Sequence, residues 1–359
     1  MIMGHKIQKW LKIAVEENAS DIFIGAERHI SFKINGVIIK QGDEPISAPE
    51  TEEMLKDLFQ LANRPIANFE QYSDVDFSVT LAGVARFRVS AYNQRGSLAA
   101  VIRVVRFELP NYLNLKIPEE VMKTANERHG LVLVTGPAGS GKSTTLACII
   151  NAINETRNCH IITLEDPIEY LHRDRKSFVS QREISTDTES YLTALRACLR
   201  QAPDIVLLGE MRDYETIKTA MTAAETGHLV ISTLHTAGAV NAVNRIIDVF
   251  PPEQQQQIRI QLSMLLRTVI YQQLLIKNSG GIIPAFEIMY VNNAIRNLIR
   301  ESKTHQIDNV IQTSSNVGMI SMDSYIINLV QSGEILQKTA ISQATDSERM
   351  SQYFERIKN

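Results

Sequence analysis

The segment Gly136-Pro137-Ala138-Gly139-Ser140-Gly141-Lys142-Ser143 constrains this chain more than any other. It follows the apolar run Leu131 to Val134 and precedes Thr144 to Ile153, a stretch apolar enough for a packed helix. G-x-x-x-x-G-K-[ST] between a strand and a helix is a phosphate-cradling loop. The glycines Gly136, Gly139 and Gly141 let backbone N–H groups curl around phosphate oxygens, and the Pro137, Ala138 and Ser140 positions contribute backbone. Lys142 reaches the β- and γ-phosphates, and the helix N-terminus adds partial positive charge beside Ser143 and Thr144. The ligand implied is ATP, with Mg²⁺ on the Ser143 hydroxyl.

Three further apolar runs, Ile161 to Leu164, Ile205 to Leu208 and Leu229 to Ile231, alternate with helical stretches, the pattern of a buried parallel sheet in an α/β domain. Such sheets place ligand-facing residues beyond the carboxyl ends of their strands. Glu165-Asp166-Pro167-Ile168-Glu169 lies at one such end. Glu165 and Asp166 join Ser143 as candidate Mg²⁺ ligands, and Glu165 and Glu169 are candidates for positioning water; a solvated acidic loop is the competing reading. Asp204 to Glu210 is another apolar strand ending in a carboxylate, with Gly209 where many P-loop enzymes carry Asp. Glu210 must then act alone, as general base or orienter of the attacking water, unless it serves as a helix cap or pairs with Arg212. His228 and His235 bracket the run Leu229 to Ser232, which suits γ-phosphate sensing or a hydrogen-bond relay. Zinc is excluded because no Cys or third His has ligand spacing.

The first hundred residues follow a different pattern. Ile7, Trp10, Leu11, Ala14 and Val15 share a helix face, Ile30, Phe32 and Ile34 alternate up to an Asn35-Gly36 turn, and Val37 to Ile39 runs back. A helix with Met54, Leu55, Leu58 and Phe59 precedes three alternating runs beginning at Val75, Phe87 and Leu98. The result is a small antiparallel sheet with helices on one side. Pro110 to Pro118, where periodicity lapses, reads as a linker, giving domains at 1–109 and 119–359; from Glu253 onward the chain reads as mostly helical.

A length of 359 residues accommodates two domains of this kind. Lys plus Arg total 37 against 40 acidic residues, and aromatics are only 6%, too balanced a charge and too few stacking rings for a dedicated nucleic-acid translocase. No nucleic-acid partner is expected. Cys148, Cys159 and Cys198 form no C-x-x-C pair and read as small buried hydrophobes of a reducing compartment. With no apolar run of membrane-spanning length and lysines interrupting the N-terminal stretch, a cytoplasmic location is expected.

Together, the P-loop, Glu165 to Glu169, Gly209-Glu210-Met211-Arg212-Asp213, and Thr226-Gly227-His228 through Thr233-Leu234-His235-Thr236 resemble the Walker A, Asp box, Walker B and His box of the secretion and pilus motor ATPases. The octapeptide Ala294-Ile295-Arg296-Asn297-Leu298-Ile299-Arg300-Glu301 resembles a C-terminal motif of the pilus retraction motors and is not expected in extension motors. Phe23, where the family is expected to carry His, is a departure, as is Ala138 in place of Thr. The resemblance implies a PAS-like α+β N-terminal domain, then a RecA-like P-loop ATPase domain with a helical C-terminal extension, assembled as a homo-hexamer. It further implies a cytoplasmic motor held peripherally against an inner-membrane pilus platform protein, driving retraction. Arg88 and Arg103 match arginines that reach the phosphates from the N-terminal domain, with a solvated strand face as the alternative. Arg196 and Arg200, one helical turn apart, face either a neighbouring phosphate site or an interhelical salt bridge.

Overall fold

The computed structural model describes residues 6–34, 36–64, 74–105 and 109–358, except for the side chains of 357 and 358. It divides into two compact units, Met1–Glu108 with Glu169–Leu171, and Leu109–Ile168 with His172–Asn359.

In the first unit, β1 (Asp21–Gly25), β2 (Ser31–Ile34), β3 (Val37–Lys40), β4 (Asp74–Leu81), β5 (Ala85–Gln94) and β6 (Ser97–Val105) form one sheet in the order β3-β2-β1-β6-β5-β4. Each pairing is antiparallel. Alternation sets the inward face: Phe87, Val89 and Ala91 on β5 and Ala100 and Ile102 on β6 are buried. They pack with Ile7, Leu11 and Ala14 of the helix Lys6–Glu16 and with Leu55 and Leu58 of the helix Ala48–Leu61. The second helix begins where the Glu50 carboxylate accepts the Ser47 backbone N–H at 3.0 Å. Gly36 has φ +83°, as the expected hairpin turn requires, while Asn35 lies outside the described residues.

In the second unit, β7 (Gly130–Thr135), β8 (His160–Glu165), β9 (Phe178–Glu183), β10 (Ile205–Leu208), β11 (Leu229–Leu234), β12 (Leu266–Ile276) and β13 (Ile282–Tyr290) form a sheet in the order β13-β12-β7-β11-β10-β8-β9. Its pairings are parallel except that of β12 with β13. All residues of β7, β10 and β11 are buried because helices cover both faces. Leu131 and Leu133 point into a core shared with the helices Tyr191–Cys198, Tyr214–Glu225, Ala239–Asp248 and Asn293–Arg300, whereas Val132 and Val134 pack on the opposite face against the helix Lys142–Thr156.

The chain after Glu253 is mostly helical, as expected, but it also contains a strand hairpin that the pattern does not show. The helix Pro252–Leu265 runs without a turn into β12, and β12 with β13 makes a long hairpin that extends the sheet. No Gly or Pro separates helix from strand there, so periodicity alone did not show the change; the β-branched residues Thr268, Val269 and Ile270 were the available signal. Three C-terminal helices, Met322–Gln331, Gln337–Gln343 and Ser347–Lys358, bury Met322, Ile326, Ala340 and Phe354 with Leu275 and Ile283 of the hairpin.

Candidate active site

The loop after β7 and the start of the helix Lys142–Thr156 form the cradle that the sequence predicts. Gly136, Gly139 and Gly141 all have positive φ, at +144°, +77° and +86°. A Cβ on Gly136 would lie 2.2 Å from the Gln272 carbonyl oxygen, so that glycine is required by a close approach as well as by its φ. The Lys142 ammonium donates to the carbonyls of Gly136 and Pro137, both at 2.9 Å, which fixes its charge at the loop. Ser140 Oγ is buried with no partner among the described residues. Ser143 and Thr144 occupy the first helical turn and are partly accessible, as a metal ligand and a phosphate donor need to be.

Register brings the other candidates to the same edge. Leu234 of β11 is opposite Thr135 of β7, Leu208 of β10 is opposite Ser232 of β11, and Leu164 of β8 is opposite Leu208. The tips of β7, β11, β10 and β8 therefore line up. His235, just past β11, stands between the phosphate loop and Glu210, and its Nε2 is 3.3 Å from Glu210 Oε2. The same oxygen accepts from Arg212 Nε at 2.6 Å, and only 12% of the Glu210 side chain is exposed. The salt bridge to Arg212 weighed as an alternative for Glu210 is thus present together with the tip position. Glu165 ends β8, where its Oε1 accepts from the Thr163 hydroxyl at 2.6 Å and from Gln181 Nε2 at 3.1 Å; Asp166 beside it is exposed.

Other candidates are placed elsewhere. His228 is corrected out of the site: it precedes the amino end of β11, whereas the phosphate loop follows the carboxyl end of β7, to which β11 is parallel. Extended chain from His228 to His235 covers about 20 Å. His228 Nδ1 lies 2.9 Å from the Ala223 carbonyl, closing the turn between a helix and β11. Two residues that bracket a strand necessarily sit at opposite ends of it. Arg196 donates to Glu215 on the next helix at 3.0 Å, and Arg200 donates to the Arg196 carbonyl at 3.2 Å. Both are exposed near the end of the helix Tyr191–Cys198 that is farther from the strand tips, so neither reaches this chain's own loop. Arg88 and Arg103 are in the first unit, directly opposite each other on β5 and β6. Arg103 Nε is 3.1 Å from Asp21, and Arg88 is 3.8 Å from Asp76. Glu169 is exposed in the short segment grouped with the first unit.

Several residues of the site went unread in the sequence. Thr145 Oγ1 donates to Gln272 Oε1 at 2.6 Å, so a buried amide on β12 clamps the phosphate-loop helix. A polar pair, Gln272-Gln273, inside an apolar strand was the available signal. Tyr191 is the second. Its hydroxyl would lie 2.7 Å from a Cβ on Gly209, and burial together with the carboxylates of Glu210, Asp166 and Glu165 holds the phenol well above its ordinary pKa. The Thr233 hydroxyl donates to the Gly209 carbonyl at 2.5 Å, tying β11 to the turn that carries Glu210.

A glycine loop on a parallel sheet, a lysine fixed within it, and a carboxylate and histidine at neighbouring strand tips define a P-loop nucleotide hydrolase. The type II/IV secretion system protein family matches residues 2–281. The type IV pilus retraction ATPase PilT of Pseudomonas aeruginosa is 41% identical over 94% of this chain and 98% of its own length. A twitching motility protein of Neisseria gonorrhoeae is 48% identical over 85% of this chain and 82% of its own. The crystal structure of the pilus retraction motor PilT with bound ADP superposes with a TM-score of 0.90 at 42% identity, covering 97% of this chain and 99% of that one. The chain belongs to the type II/IV secretion system protein family, and it is an ATPase.

Proposed function

We propose that the chain is the ATP-driven motor of type IV pilus retraction, working as a homo-hexamer on the inner face of the cytoplasmic membrane against a pilus platform protein. The observation that carries the catalytic part is the convergence of Lys142, Glu210 and His235 at one sheet edge beside the glycine loop. Loop amides and Lys142 bind the phosphates of ATP. The shared hold of Arg212 and His235 on one Glu210 oxygen fixes the direction of the carboxylate. Arg212 is 76% exposed, so its half of that hold breaks at small cost when Glu210 turns to orient water. Arg88 and Arg103, two guanidinium groups held side by side, are the candidates to supply charge to a transferring phosphoryl.

Mg²⁺ fits the donor set, since Ser143, Glu165 and Asp166 offer hard oxygens, and when bound it neutralises phosphate charge. Among the described residues no helix is long and apolar enough to cross a membrane, in keeping with a peripheral motor. Release of phosphate from ATP by the purified protein, with and without EDTA, tests the reading. Turnover that needs the divalent ion and disappears in Lys142→Ala is expected; turnover unchanged by Lys142→Ala overturns it.

A further inference from the structure

The helix Asn293–Arg300 buries Ile295 and Ile299 completely and turns Arg296 and Arg300 away from that core. It packs on the helix Pro252–Leu265, and Gln256 of that helix donates to the Arg300 carbonyl at 3.3 Å. Between them is a cavity of about 510 Å³ lined by Met264, Arg267, Asn293, Arg296, Asn297 and Arg300. That volume falls within the range of ligand clefts.

Three guanidinium groups share this cavity, and among the described residues none is paired with a carboxylate. Arg267 donates from Nη2 to His129 Nε2 at 2.7 Å and from Nε to the His129 carbonyl at 3.2 Å. Arg296 Nη1 donates to Asn293 Oδ1 at 3.3 Å while its Nε is buried without a partner. Arg300 donates to Asn297 Oδ1. Glu301, next in sequence, feels the Arg300 charge but is bonded to Lys303 at 2.8 Å. Gathering three like charges without a counter-charge costs stability, and the fold does not need it, since the aliphatic side of the helix does the packing. Beside the arginines, Ile260 and Met264 are 43% and 53% exposed, one helical turn apart. A free phosphate would satisfy the arginines and leave that apolar strip in water.

We propose that this cleft is a docking site for an acidic segment of a protein partner, whose carboxylates pair with Arg267, Arg296 and Arg300 and whose apolar side chains cover Met264 and Ile260. Planar guanidinium groups suit bidentate carboxylate recognition, and arginine beside exposed methionine is the composition of protein interfaces. The site lies outside the catalytic constellation and goes beyond the motor reading. Peptide binding is read without hydrolysis, so a failed dock leaves the ATPase assignment standing.

The test is fluorescence anisotropy of the full chain with a short fluorescein-labelled peptide repeating Glu-Leu-Asp-Ser. A peptide with Lys at the acidic positions, a peptide with Ser for Leu, and inorganic phosphate are the comparison probes. The acidic apolar peptide binds, raised salt weakens it, and Arg296→Gln and Arg300→Gln each weaken it about tenfold. Asn297→Asp, which removes no arginine and supplies an internal carboxylate, weakens it similarly, and Met264→Ser does so by about threefold. ATP turnover and sedimentation stay unchanged in all four. The proposal is overturned if the Lys peptide binds equally, if the Arg variants retain full binding, or if phosphate displaces the peptide at matching concentration, which marks a small-anion site. Altered sedimentation of the Arg variants overturns it too, by making the cleft a contact between copies of this chain.

Discussion

Glu210 is gripped on one oxygen by two partners of different strength, a close Arg212 and a more distant His235, and this asymmetry gives the carboxylate a direction. Glu210→Gln keeps the shape and loses the charge, so nucleotide binding stays near the parental value while phosphate release falls by about 10² to 10⁴. Paired titration and turnover measurements on the same preparation check it, and turnover within a few-fold of the parent would pass the role to Glu165 or Glu169. Gly209, which in sequence reads only as a missing Asp, has a positive reason to be glycine: a Cβ would meet Tyr191 Oη at 2.7 Å and the Leu164 carbonyl at 3.2 Å. Gly209→Ala is expected to push Tyr191 from the strand tips and lower kcat by more than it raises KM, measured by steady-state kinetics. The Lys142 and Glu210 positions were legible because strand-end motifs carry their own context. Gln272 was not, because a clamp 127 residues from Thr145 exists only once β12 lies against β7.

Among the elements, the hairpin β12–β13 does the most that sequence pattern concealed. It brings Gln272 to the phosphate loop, and it buries Glu287, whose carboxylate accepts the Ala239 N–H at 2.8 Å and the Met322 N–H at 3.4 Å. One buried side chain thus satisfies the amino ends of two helices that the periodicity showed only as separate stretches. Glu287→Leu strands both N–H groups and is expected to cost about 2 to 4 kcal/mol, read by urea unfolding. Burial raises the Glu287 pKa, so the folded state holds this proton more tightly than the unfolded chain does. The associated stability is complete below the ordinary glutamate pKa and is lost as pH rises through the raised value. Glu287→Gln, which keeps one acceptor and cannot ionise, flattens that stretch of the stability profile; a slope identical to the parent's would remove the linkage. In the helix Asn293–Arg300, Ile295 and Ile299 are buried and both arginines lie off that core, as a spacing of four residues requires.

At the scale of the whole molecule, two sheets of opposite character carry the candidate residues. The antiparallel sheet presents Arg88 and Arg103 side by side, and the parallel sheet presents the glycine loop, Glu210 and His235 at one edge. His228 shows where reading by bracket fails: a motif that names two histidines does not say which end of a strand each occupies. Hydrolysis at this edge is proposed to power pilus removal, and pilus counts in cells whose only copy of the gene carries Glu210→Gln put that to the test. Retained surface pili in excess of the parent, with twitching abolished, is the predicted result. Cells that lose their surface pili would contradict it and make the chain a motor of extension.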